Sequence, residues 1–291
     1  MYAVVALGFM TALVYGFGDF FGAVASRKIK PLLVTGMAGW SGLVMLLGLL
    51  LSGALDAHFS TISIIAGAVG GVFSAFGLFC LYQALAIGPI SIISPLAAVV
   101  GAIVPAIVGG VALHERFGLV DWLAIGVVLI AIILVAYHPD GHHSQRPSAR
   151  GIGFGVGAGI GIGVVLVMLH LPPASDGIAA ITLMRAENAT ILGAVAISLI
   201  LRGKAGKQDF ADISVSMWFT VLATGVLDAV ANLLFVFASG MGSLTVVSVL
   251  TSLYPLGTIF LARVVLKERL ALNQLVGVLL ALGASAMLAL N

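Results

Sequence analysis

The feature that most constrains this chain is a succession of unbroken apolar runs of about 20 residues, the length an α-helix needs to cross roughly 30 Å of hydrocarbon. They fall at 3–25, 31–52, 62–86, 91–113, 119–137, 151–171, 177–201, 214–238, 243–265 and 271–290. In a bilayer every backbone N–H and C=O needs an internal partner, so only helices or closed barrels can span it. A barrel would show alternating segments of about 10 residues, a pattern at odds with continuous runs. The balance of residues agrees: 61% are hydrophobic and 8% charged, against roughly 25% charged in a soluble domain. The sequence therefore predicts an all-α integral membrane protein of about ten transmembrane helices. No basic segment precedes the first run, which reads as a span rather than a cleaved signal.

Several functions are disfavoured at once. A net charge of +2 and the lack of a basic stripe argue against nucleic acid. The single cysteine, Cys80, lies inside an apolar run. No GxxxxGK[ST] loop points to ATP, and no cofactor is implied. Gly153, Gly155 and Ala158 make a loose dinucleotide fingerprint, but no strand precedes it. Glycine recurs at every second residue from Gly151 to Gly163, which instead supplies small-xxx-small pairs for close helix packing. His138, His142 and His143 lie with Asp140 in the central loop, at a spacing that matches no standard zinc site.

The two halves are related. Residues 71–94 match 225–248 at a constant offset: Gly71 with Gly225, Val72 with Val226, Ala75 with Ala229, Ala84 with Ala238, Gly88 with Gly242 and Ser94 with Ser248. One residue drops out, and Glu115-Arg116 falls on Glu268-Arg269; Gly8-Phe9 aligns with Gly153-Phe154. An ordered series of this kind indicates a duplicated unit, with the first copy and central loop in 1–145 and the second copy in 146–291. Five spans per copy is an odd number, so the second copy enters the membrane from the opposite side. The charges agree: Arg27, Lys28 and Lys30 follow span one, whereas the loop after span six has no Lys or Arg. Conversely Arg202, Lys204 and Lys207 follow span seven, whereas the loop after span two has none. Two inverted five-helix repeats are expected, with a substrate site between them near the midplane, as in secondary transporters.

The stretch Ser252-Leu253-Tyr254-Pro255, then Leu266-Lys267-Glu268-Arg269-Leu270, then Gln274 and Gly277, resembles the EamA-type signature of the drug/metabolite transporter superfamily. The first half repeats it more loosely in Gly101-Ala102, His114-Glu115-Arg116-Phe117 and Gly126, and Tyr15-Gly16 followed by Arg27-Lys28 is similar to the family's opening helix. The resemblance implies a membrane transporter of amino acids, metabolites or drugs, with exporters and importers both represented.

Ionisable groups inside spans cost about 2.5–3.5 kcal/mol each on insertion scales, which makes each a candidate site residue. Asp228 and Asn232, at i and i+4, share a helix face. Their first-repeat equivalents are Ser74 and Leu78, so the fold does not itself demand a charge there. Arg185 and Glu187 lie two apart and point to different faces; Arg185 could grip a carboxylate or phosphate, or pair with Asp228 or Asp19. Asp19, Gln83 and Tyr254 complete the candidate substrate- or proton-binding set, with Asn188 and His170 as further polar groups within spans. Glu115 and Glu268 read as structural end-caps.

A secondary transporter of small metabolites follows, working by alternating access in a cell membrane, with export as the leading direction and a proton as the candidate coupling ion through Asp228, Glu187 or Asp19. An uptake permease for sugars or carboxylates is the alternative direction, and an intramembrane enzyme or scaffold the alternative class; the former would need clustered nucleophiles, acids or metal ligands, the latter no central polar cavity. Lys and Arg counts put the loops after spans one, five, seven and nine in the cytoplasm and both termini outside. A fluorescent protein fused after Asn291 should stay dark, and a bright fusion would reverse the orientation.

Overall fold

The computed structural model describes residues 2–88, 90–136, 148–173, 175–202, 214–266 and 272–290. Among them are eleven helices: α1 Tyr2–Ser26, α2 Pro31–Leu51, α3 Thr61–Ile87, α4 Ile90–Val111, α5 Leu119–Ala136, α6 Ala149–His170, α7 Gly177–Leu201, α8 Val215–Ser239, α9 Leu244–Thr251, α10 Pro255–Leu266 and α11 Leu272–Leu290. The central-loop histidines, Lys204, Lys207, Lys267, Glu268 and Arg269 lie outside the described residues, as do the side chains of Arg263 and Gln274. Serines start four of the helices. Ser60, Ser148, Ser214 and Ser243 each accept a bond from the backbone N–H three residues on, satisfying a donor the helix cannot pair itself.

Ten passes are made, because α9 and α10 form one crossing. Sequence reading expects a continuous span at 243–265, and the structure breaks it after Thr251. Leu253 N–H turns to the Leu250 carbonyl and Tyr254 N–H to that of Thr251, at 3.1 Å each, and Pro255 has no N–H to continue the ladder. Pro95 and Pro105 leave α4 unbroken. Large apolar side chains such as Val44, Leu47, Ile62, Ile107, Ile133, Phe219 and Leu279 stand exposed, as a lipid-facing surface requires.

The packing repeats under exchange of the two halves. α3 lies against α6 and α7 as α8 lies against α1 and α2; α4 lies against α6 as α9 and α10 lie against α1. α5 packs on α11, and α2 on α7, each with its own counterpart. Helix directions follow from which residues meet. α1 runs antiparallel to α8, with Gly18 beside Thr224 and Leu227; α8 is parallel to α2, with Gly225 beside Ala38 and Ala229 beside Gly42. α2 is antiparallel to α7 through Gly36 and Gly39 facing Leu192 and Ala189. α7 is parallel to α3 through Gly67 and Gly71 facing Leu183 and Glu187, and α3 is antiparallel to α6, with Cys80 beside Gly157 and Gly77 beside Gly161. Followed round, α6 points opposite to α1, so the five-helix repeats are inverted.

Glycine sets the helix spacing. Gly155, Gly159 and Gly163 of α6 meet Leu96, Val100 and Val104 of α4 in steps of four, the close packing expected of the glycine run. A methyl group at Gly225 would overlap the Ala38 carbonyl and the Ser41 side chain, and one at Gly16 the Tyr254 carbonyl. At one end of the bundle Glu115 ties the repeats together. Its carboxylate accepts from Leu244 N–H at 2.6 Å, Thr245 N–H at 3.2 Å and the Thr245 hydroxyl, capping α9 of the other repeat rather than its own helix. The chain reaches this position through His114 at φ 53°. On the same side, Asp176 is bonded by Ser60 and Ser175, which holds its carboxyl below the usual carboxylate range.

Gly225→Val should destabilise the protein by about 1–3 kcal/mol through overpacking. Gly153→Ala, where a methyl group meets nothing within 4 Å, should leave the midpoint unchanged or slightly raised. Thermal unfolding in detergent compares them; equal midpoints would show that the α2–α8 contact does not set stability.

Candidate functional site

Between the repeats lies a cavity of about 290 Å³, its mouth included, lined by Tyr15 of α1, Phe73, Ser74, Gly77 and Leu78 of α3, Ile162 and Val165 of α6, Arg185 of α7, and Asp228 and Asn232 of α8. Its polar groups stand on consecutive turns. Arg185 and Asn188 share one face of α7, and Asp228 and Asn232 one face of α8. Ser74 and Leu78, their equivalents by repeat, line the same cavity from α3.

The guanidinium of Arg185 is the largest fully buried side chain, at 1% exposure, and its Nη2 is paired with Asp228 Oδ2. Lipid offers no compensation for either charge, so the pair is what lets both exist at this depth. Tyr15 donates its hydroxyl proton to Asn232 Oδ1, fixing that amide. Asn188 donates through Nδ2 to Ser74 Oγ at 2.9 Å. One turn of α7 therefore holds α8 by an ion pair and α3 by a neutral hydrogen bond. Arg185 Nε and Nη1 have no hydrogen-bond partner among the described residues.

The remaining candidates are placed around this cluster. Asp19, 8% exposed on α1, does not line the cavity but lies within Coulombic range of Asp228, Tyr82 and Tyr254. Glu187 points away from Arg185 and packs against Gly71 of α3. Tyr254, in the break between α9 and α10, donates to the Ser94 carbonyl at 3.1 Å. Gln83 is half-buried near the end of α3, away from the cavity. Tyr254's span does not line the cavity among the described residues: its break packs on α1, where Thr258 bonds the Gly16 carbonyl at 3.1 Å, and α6 lines the cavity. Tyr15 and Ser74 were absent from the sequence-based set. The internal repeat carried a signal for Ser74, as the partner position of Asp228; Tyr15 had none beyond its place in span one.

An inverted pair of helical repeats enclosing a small polar cavity in lipid is the build of a multi-pass membrane transporter. The chain belongs to the EamA-like transporter family, whose model matches it twice, at residues 3–137 and 149–290. It is thus a transporter of the drug/metabolite type, with a small-molecule substrate and a lipid bilayer as its surroundings. No curated protein matches the sequence. Among 29 matching chains of solved structures, a crystal structure of a protein superposes with a TM-score of 0.75 over 100% of this chain and 97% of that one. At 15% identity that likeness bears on the fold alone.

The geometry of the pair sets a testable energy. Arg185→Met or Asp228→Leu alone should each cost about 3–5 kcal/mol by stranding the other charge, and the double substitution less than their sum. Unfolding midpoints of the three variants measure this, and strictly additive losses would mean the pair does not form.

Proposed function

We propose that this protein is a secondary transporter that exports small metabolites from the cell across the cell membrane, the two inverted repeats rocking about the central cavity to expose it to each side in turn. The observation that carries this reading is the position of the Arg185–Asp228 pair. It lies on α7 and α8 of the second repeat, in a cavity that both repeats line, where a bound solute would be enclosed by both halves. A charge pair kept only for helix association would be costly there, since well-packed apolar residues serve that purpose as well or better. Asp228, Asn232, Arg185 and Tyr15 are proposed as substrate contacts, and Asp228, with Asp19 behind it, as the route of a coupling proton. Glu187, Gln83 and Tyr254 do not line the cavity and are proposed only as residues that position the helices around it. Export is favoured by the resemblance to a family in which efflux of amino acids, metabolites and drugs recurs.

Metabolite pools inside and outside cells with and without the gene test the direction: the transported solute should accumulate inside when the gene is lost. Leu78→Trp should fill much of the cavity and lower efflux at least tenfold with the thermal midpoint kept within a few degrees, because Leu78 lines open space. Undiminished efflux in a folded Leu78→Trp protein would place the pathway elsewhere.

A further inference from the structure

The polar corner of the cavity is not saturated. Arg185 is engaged through Nη2 alone, and its Nε and Nη1 face no acceptor among the described residues although the side chain is 1% exposed. A guanidinium presents its donors as a planar fork matched to the two oxygens of a carboxylate. Four of the residues that share the lining with it are apolar and bulky: Phe73, Leu78, Ile162 and Val165. An occupant that satisfies both kinds of contact carries a carboxylate at one end and a short apolar tail at the other. A phosphate dianion fits poorly, because a single guanidinium would face two negative charges and the tail would be missing.

Charge counting then constrains the binding step. Counted over the residues that line it, the empty site is neutral, with one cation and one anion in Arg185 and Asp228. Adding a carboxylate leaves one buried negative charge in excess, which a low-dielectric site does not tolerate. Among the described residues no second cation lines the cavity. The ionisable groups around Asp228 are Asp19 and Tyr15 from α1, Tyr82 from α3 and Arg185 from α7. α2 carries no ionisable residue, and α6 none between Arg150 and His170. The remaining way to restore neutrality is a proton.

Resting on the transport reading above, we propose that the cavity binds a small monocarboxylate with an apolar tail, one proton from solvent joining Asp228 for each carboxylate that takes its place on Arg185. The step balances. An O–H bond forms on Asp228, the guanidinium exchanges its ion pair from Asp228 to the incoming anion, and no net charge enters. Substrate and proton therefore cross together, outward when the solute's own outward gradient exceeds the inward proton gradient, and the flux is indifferent to membrane voltage.

The test uses the full chain in detergent and in phosphatidylethanolamine–phosphatidylglycerol vesicles, with 3-methyl-2-oxobutanoate as the probe and isobutylamine as a cation of similar size. Calorimetry in buffers of different ionisation enthalpy should show 3-methyl-2-oxobutanoate binding with uptake of about one proton. The Kd should rise about tenfold per pH unit wherever the empty site holds Asp228 ionised. Arg185→Met should abolish binding, whereas Asp228→Asn, which stands in for the protonated acid, should bind with no proton uptake and no pH dependence. If Asp228→Asn does not fold, the proton count of the unaltered protein decides alone. Binding without proton uptake, or binding of isobutylamine in its place, overturns the proposal. Vesicles loaded with a cell metabolite extract separate the two readings: carrier-dependent flux that excludes carboxylates sinks this inference and leaves transport standing, and flux of nothing sinks both.

Discussion

Helices in a bilayer gain nothing by hiding apolar side chains from lipid, so the association of these ten passes depends on how closely their backbones approach. Glycine sets that distance at several of the contacts between the two repeats. Gly225 lies on Ala38 and Ser41, Gly16 on the backbone of Tyr254 and Gly257, Gly161 on Gly77, and Gly159 on Val100 and Ala97. The scaffold is therefore assembled mainly by shape, and polar groups are left free for other work.

That economy shows in where polar residues are placed. Serine and threonine hydroxyls are largely returned to their own helices, as in Thr11 to the Leu7 carbonyl at 2.7 Å and Thr182 to the Ile178 carbonyl at 2.8 Å. Glu115 spends its charge on the N–H groups that open α9, at the end of the bundle. Within the central cavity the polar set is small: Tyr15, Ser74, Arg185, Asp228 and Asn232.

Much of this was legible in the sequence, for physical reasons. Hydrocarbon forces helices, run length counts them, and an odd-numbered duplication forces inversion. Charges in spans are rare enough that Arg185 and Asp228 stood out, and once both exist in lipid an ion pair is one of few stable outcomes. Other features had no comparable signature. Tyr15 reads in sequence as one more amphipathic ring in an apolar helix, and only folding brings its hydroxyl to Asn232 across 217 positions. Ile162 and Val165 line the cavity, but an apolar wall looks like any other apolar surface. Pro255 follows a break in its span whereas Pro95 and Pro105 sit inside an unbroken helix, so a proline in an apolar run does not by itself mark where the helix stops.

The scaffold is symmetric and its site is not. Position 74 and position 228 are equivalents, both line the cavity, and both are held by α7, yet one meets Asn188 as a serine and the other meets Arg185 as an aspartate. The counterpart of α7 is α2, which brings glycines and no ionisable residue to the same interface. A second ion pair generated by the pseudo-symmetry would double the desolvation cost and fill the space opposite the first. Confining the charge to one repeat leaves Phe73, Leu78, Ile162 and Val165 as an apolar share of the lining, so the cavity offers both polar and apolar contacts. Duplication supplies the two halves, and divergence at a handful of positions gives the enclosed space its mixed polar and apolar lining.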